Sequence, residues 1–298
     1  MIRNHQFYEA YLNNHFKIKS RTAKYFLNMG NEQLRRALVL MDIPTNEIEF
    51  LKTVKIDLVQ SFYQSIETLF GFIHSLENIE AQLDLPNYLI KIEIGELHKF
   101  IKSFEDFNFA LEYLNKDLHT PNNVIPKFQY LFYFASLVIS DFPKEYMEKI
   151  KSESNINGIA LVLSEIAKEF NKEAHNSIKH GLRCLIVSKL NMHFDFPKEL
   201  EDIKMPNNWK SEDDTLLYYS REKGQNKAVI VLVPFCVEKI IYLEEELSKL
   251  LNSLIDNRNI VLNKKEDLEF YFFSSNNLSN NSFLTSSNFK SIRISDSK

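Results

Sequence analysis

Residues 46–76, NEIEFLKTVKIDLVQSFYQSIETLFGFIHSL, decide how the rest of this chain reads. Val59, Phe62, Ile66, Leu69, Ile73 and Leu76 recur at three- and four-residue steps, the period of an amphipathic helix. Asn46 stands just ahead of the run and Glu49 three residues later, the two halves of a capping box. The spacing therefore predicts one long helix that opens at Asn46 and reaches about Leu76.

The surrounding sequence agrees with a helical protein. Its 298 residues include only 6 Gly and 8 Pro, against 24 Phe and 13 Tyr, so turn-formers are scarce and large apolar side chains are plentiful. That balance favours long helices over many short strands. An apolar content of 44% with 26% charged residues is that of a globular chain able to bury a core. Thirty-six basic residues face 40 acidic ones, so no global positive field marks a nucleic-acid binder, and any such binding must use a local patch. Cys184 and Cys236 stand singly, without zinc or redox spacing, which fits a reducing cytoplasm. The longest apolar runs, YLFYFASLVI at 130–139 and AVIVLVPFCV at 228–237, are too short to span a bilayer, so the expectation is a soluble, cytoplasmic chain with no membrane partner.

Along the chain, helical patterns recur through 83–118. A nearly all-apolar segment at 127–140 is expected to be a buried helix, and FPKEYMEKIKS a short one opened by Pro143. From Ile156 to Lys189 the pattern is helical with a break at Asn171. Texture changes after Asn191. TLLYYSREKGQNKAVIVLVPF (215–235) pairs two β-branched and aromatic runs about a Lys-Gly-Gln-Asn turn, which predicts a hairpin. Pro234 then opens a helix through about Asn257, and a Ser/Asn-rich tail is expected to be disordered. The expected organisation is an N-terminal helical arm (1–44), a helical bundle (45–195), a hairpin-plus-helix extension (196–277) and a tail (278–298). The fold class is mainly α, a helical bundle with a small C-terminal β-hairpin and helix.

P-loop, dinucleotide, zincin and nucleophile-elbow motifs are all absent from the sequence. His175 and His180 are five residues apart, about 140° on a helix, which does not suit two ligands of one ion. Glu93, Glu96, His98, His193 and Asp195 add no recognisable spacing, so neither a metal site nor a cofactor is expected.

EAHNSIKHGLRCLI (173–186) is the chemically suggestive stretch. Read as one helix, it places Ala174, Ile178, Leu182, Leu185 and Ile186 on an apolar stripe, and Asn176, Lys179, His180 and Arg183 together on another face. Gly181 costs about 1 kcal/mol against alanine inside a helix, and the compensating gain is close access beside His180. A histidine flanked by two cations suits acid–base work on a phosphodiester. A second row, Gln60, Gln64, Glu67, Gly71 and His74, follows helical spacing on the 46–76 helix, where Glu67 is placed to orient His180 or pair with a cation. Each row has an ordinary explanation too, because every amphipathic helix has a polar face and Glu67 also suits a solvated one.

The pair YQSIETLFGFI and HNSIKHGLR resembles bacterial helical proteins with an Asn-x-x-Lys-His-Gly motif, divergent members of the HEPN superfamily (higher eukaryotes and prokaryotes nucleotide-binding). The resemblance covers roughly 50–190 and is carried by Asn176, Lys179, His180 and Gly181, with Glu67 as a weaker anchor. It implies a bundle of four or five helices, usually dimeric. Active members of that family are metal-independent endoribonucleases built on an arginine, a polar residue and a histidine, many of them in toxin–antitoxin or phage-defence systems. Others have lost catalysis and bind nucleotides or partners. Carried over, His180 matches the family histidine and Asn176 the polar residue, while His175 stands where the arginine belongs. Imidazole lacks the guanidinium fork, so Lys179 or Arg183 would have to hold the phosphate. Two functions follow. In one, His180, Lys179, Asn176, Arg183 and Glu67 form a ribonuclease site that leaves cyclic phosphate ends. In the other, the chain is a catalytically silent module that dimerises or binds a nucleotide or a protein.

Overall fold

The computed structural model describes residues 14–78, 85–119, 124–133, 155–179, 184–187, 191–193, 208–210, 214–221, 228–262 and 292–295. They are mainly helical, as the composition predicts. The chain forms two compact units, each assembled from three separated segments. One comprises Met1–Arg21, Ser61–Phe170 and Tyr242–Leu284, the other Thr22–Gln60, Asn171–Ile241 and Thr285–Lys298.

The elements begin with α1 (His15–Leu27), α2 (Asn31–Leu40) and α3 (Glu47–Ser75). Helix α3 is the long helix expected from 46–76, and its six periodic apolar residues are all buried. Asn46 Oδ1 accepts the Glu49 N–H at 2.9 Å, the forward half of the capping box. The return half differs: the Glu49 carboxylate accepts from the Thr45 hydroxyl at 2.9 Å.

In the first unit, the second half of α3 is followed by α4 (Leu85–Leu89), α5 (Ile94–Ser103) and α6 (Phe107–Asn115). A two-stranded ladder comes next, β1 (Asp117–His119) with β2 (Val124–Pro126), then a π-helical turn, Gln129–Tyr133, and α7 (Ile156–Glu169). Asp106 caps α6 and Asn155 caps α7, each through a side-chain oxygen on a first-turn N–H. Helix α7 packs on α5 and α6, and Ser164 Oγ donates to the Glu105 carbonyl in the turn between them at 3.0 Å. Phe70, Phe100, Phe104 and Tyr113 interlock edge to face; the Phe70–Phe104 and Phe100–Phe104 centroids are 5.0 Å apart and the Phe104–Tyr113 pair 4.9 Å.

The segment expected as a buried helix at 127–140 is buried from Phe128 to Tyr133, but its Gln129–Tyr133 part is a π turn. Its remainder, and the short helix expected after Pro143, lie outside the described residues. The π turn is held by α9 (Val237–Leu262). Arg258, fully buried, donates from Nη2 to the Tyr130 carbonyl at 2.9 Å and from Nη1 to the Leu131 and Leu254 carbonyls. Asn257 Nδ2 and Ser253 Oγ both reach the Phe132 carbonyl, at 2.6 and 3.1 Å. Also buried on α9 is Glu244, which accepts the Ser61 hydroxyl at 2.8 Å. Burial pushes its carboxyl up to about 8, against the opposing pull of Ser61 and the Lys19 charge.

The second unit holds α2 and the first half of α3, joined by a turn in which Asp42 takes φ 53°. Arg35 Nε meets Glu47 Oε1 at 2.5 Å across that turn. After α8 (Lys172–Lys179) come β3 (Cys184–Val187), β4 (Asn191–His193), β5 (Asn208–Lys210), β6 (Asp214–Arg221), β7 (Ala228–Phe235) and β8 (Ile292–Ser295). The order β3-β6-β7-β8 makes an antiparallel sheet, and β4 pairs with β5. Strands β6 and β7 are the expected hairpin, in register from Asp214↔Phe235 to Arg221↔Ala228. Lys55 Nζ on α3 meets Asp214 Oδ2 at 2.7 Å.

Four local expectations change. Residues 184–187 are a strand paired with β6, not the continuation of a helix to 189. Asn208–Lys210, expected as loop, pairs with Asn191–His193. Residues 292–295, inside the tail expected to be disordered, pair with β7. Pro234 belongs to β7 and the helix opens at Val237 instead. In each case main-chain pairing with a distant segment satisfies the backbone better than the local pattern does. Among the described residues, no helix is long and apolar enough to cross a membrane.

Two measurements test the interior of the first unit. Arg258→Met strands the Tyr130 and Leu131 carbonyls in the core and should cost about 2–5 kcal/mol in urea unfolding; a loss under about 1 kcal/mol would show that Arg258 does not clamp the turn. For Glu244 the folded carboxyl titrates near 8 and the unfolded one near its ordinary 4.5. Between those values the fold holds a proton that the unfolded chain lacks, so stability falls as pH rises. Glu244→Gln should flatten that fall and raise the melting temperature at pH 8. A variant with the wild-type pH dependence would contradict it.

Candidate functional site

The predicted site residues divide between the two units. Helix α8 opens on Asn171, whose Oδ1 accepts the Ala174 N–H at 2.9 Å. Helical spacing then turns Ala174, His175, Ser177 and Ile178 inward, and α8 packs on β3 and β6. Asn176 and Lys179, three residues apart, are both exposed on its outer side.

The described helix stops at Lys179, and Cys184 already belongs to β3. The common face assigned to Asn176, Lys179, His180 and Arg183 required helix over all eight positions. With Leu185 and Ile186 on a strand, Leu185 57% exposed and Ile186 buried, the helical stripe ends before them. Of the four residues read as one face, Asn176 and Lys179 are described, and both lie on the outer side of α8. His180, Gly181 and Arg183 themselves lie outside the described residues. His175 is 0% exposed.

Glu67 is on α3 in the first unit, and its partner there is a histidine from α5. His98 Nε2 lies 2.8 Å from Glu67 Oε1, with the two side chains 6% and 14% exposed. The ring of Phe170 lies 5.2 Å from the imidazole, centroid to centroid. Glu67 is thus a nearly buried hydrogen-bonding group, not a solvated face residue. His74, in the same row, lies edge-on to Phe100 at 4.9 Å. Gly71 serves no tight contact, since a Cβ there would meet Leu89 Cδ2 at an ordinary 3.8 Å.

A cleft in the first unit was not legible in the sequence. It has a volume of about 720 Å³ and is lined by Glu77, Phe100, Phe109, Glu112, Tyr113, Asn115, Lys116 and Lys127. Lys127 Nζ is 2.9 Å from Glu77 Oε1 and 4.0 Å from the centre of the Tyr113 ring. Burial, and after it the Glu77 charge, pushes the Tyr113 phenol well above its ordinary value. Phe109 stacks on Tyr113 with centroids 6.2 Å apart, yet remains 37% exposed. The only signal in sequence is the aromatic run Phe100, Phe104, Phe109, Tyr113, which a core explains equally well. Among the described residues, no three His, Cys, Asp or Glu side chains converge as a metal would need.

Comparison of the chain with protein-family models, with curated proteins and with solved structures gives no match.

The Glu67–His98 pair gives a direct test. Glu67→Ala removes the group facing a buried imidazole and should cost about 1–3 kcal/mol in urea unfolding, with Glu67→Gln recovering most of it. Equal stability of Glu67→Ala and wild type would return Glu67 to the role of a solvated residue.

Proposed function

We propose that this chain is a HEPN-like helical module that binds an RNA or nucleotide partner without cleaving it. One observation carries the reading: His175, at the position of the family arginine, is fully buried in α8. Metal-independent cleavage of RNA needs a cation on the phosphate while a histidine moves protons at the 2′-hydroxyl. A buried imidazole touches no phosphate, and it has no planar fork to grip one. What α8 does offer to solvent is Asn176 and Lys179, a hydrogen-bonding amide and an ammonium one turn apart. That pair suits holding a phosphate, which needs only charge and hydrogen bonds. The helical composition and the Asn176-x-x-Lys179-His180-Gly181 motif support the family reading, and with it a homodimer in a bacterial defence or toxin–antitoxin setting.

The nuclease reading keeps one point in its favour, that Lys179 is exposed next to His180 in sequence. It makes the opposite prediction. Purified full-length chain, incubated with single-stranded RNA in EDTA, should leave the RNA intact while retaining it in a filter-binding assay. Lys179→Ala should weaken retention about three- to tenfold, more at low salt than at high. Cleavage by the wild type that disappears in His180→Ala or Lys179→Ala would replace this reading with the nuclease. Intact RNA that is never retained would remove RNA as the partner.

A further inference from the structure

The cleft of the first unit has no part in the function proposed above, and its chemistry points to a different kind of ligand. Its lining carries two carboxylates, Glu77 and Glu112, and two ammonium groups, Lys116 and Lys127, so its formal charges cancel. They are not equally available. Lys127 and Glu77 are committed to each other at 2.9 Å, and the Lys127 side chain, 12% exposed, also covers the Tyr113 ring. Glu112 and Lys116 are exposed, and neither has an ion-pair partner among the described residues. They stand four residues apart at the end of α6, where Lys116 is the C-cap and its extended backbone (φ −60°, ψ 132°) leaves the helix. One turn before Glu112 on the same helix, the cleft offers the open Phe109 ring, stacked on Tyr113, with Phe100 also in the lining.

We infer that this cleft binds a small zwitterion with an aromatic body, the chemistry of a free aromatic amino acid. The ligand's ammonium pairs with Glu112, its carboxylate with Lys116, and its ring stacks on Phe109. Asn115, exposed beside them, donates one amide N–H to the Leu111 carbonyl at 3.0 Å and keeps its other N–H and its oxygen for the ligand. Ligands of one charge fit less well. A nucleoside monophosphate brings a ring and negative charge but nothing for Glu112, and it faces two carboxylates. An aromatic amine leaves Lys116 unmatched and faces two ammonium groups. Because the free pair is exposed, each contact is screened by water, and the expected dissociation constant is on the order of 1 mM.

The inference is independent of the function proposed for residues 175–179, and either can fail alone. The test is saturation-transfer NMR on the full chain titrated with L-phenylalanine, beside 2-phenylethylamine, 3-phenylpropionate, L-alanine and adenosine monophosphate. L-Phenylalanine should saturate, and each of the other four should bind at least about fivefold more weakly, having lost one of the three contacts or the charge match. Glu112→Gln and Lys116→Met should each weaken L-phenylalanine about fivefold with an unchanged melting temperature, since both side chains are exposed. Absence of saturation up to roughly 20 mM would overturn the proposal, as would binding that ignores both substitutions. Adenosine monophosphate binding more tightly than L-phenylalanine would overturn it too.

Discussion

The interior of the first unit is organised around one guanidinium. A π turn closes its main chain with i→i−5 bonds, and in Gln129–Tyr133 the Tyr130, Leu131 and Phe132 carbonyls take their donors from side chains of α9. Burial removes water as a candidate. Arg258 meets the need because its planar fork reaches the Tyr130 and Leu131 carbonyls while also bonding its own helix at Leu254. Asn257 and Ser253, one position and five positions earlier, serve the Phe132 carbonyl. Three polar side chains within six residues therefore set the register of α9 on the turn. Sliding the helix by one residue would move each donor about 100° around its axis and leave buried carbonyls unpaired.

The same accounting explains the other polar groups in that interior. Glu67 and His98 come from helices far apart in sequence, and each removes from water a group that the other satisfies. Glu244 follows a different route: beside the Ser61 hydroxyl and remote from solvent, its carboxyl holds its proton well above the ordinary range. Pairing and protonation are the two ways to bury a carboxyl, and this unit uses both. Exposed pairs such as Arg36 with Glu32 carry little comparable weight, because water screens them.

For the function, the decisive feature is which side of α8 its packing takes up. Helix α8 has eight residues, and its inward side is spent on packing against β3 and β6. That packing takes His175 out of contact with any ligand and leaves Asn176 and Lys179 outside. Binding a phosphate asks only for exposed donors and charge. Cleaving RNA asks for a cation and a proton carrier fixed on the same atoms, a demand of geometry that residue types alone do not meet.

Local features were readable in the amino-acid sequence because their causes lie within a few residues. The cap at Asn46, the buried stripe from Val59 to Leu76 and the hairpin of β6 and β7 depend on spacing and turn chemistry alone. Cys184–Val187 has no such signature: four apolar residues suit a buried helix or a strand, and pairing with Thr215–Tyr218 selects the strand. Ile292–Ser295 lies in Ser/Asn-rich surroundings, yet it finds its strand partners 60 to 66 residues back, on β7. Glu67 could be recognised as a carboxylate in an apolar setting, but its partner, 31 residues away, could not. The charge balance of the cleft likewise arises only when Glu77, Glu112, Lys116 and Lys127 converge. Periodicity reports which side of an element is apolar; what that side touches is settled by contacts between residues remote in the chain, and only the folded structure contains them.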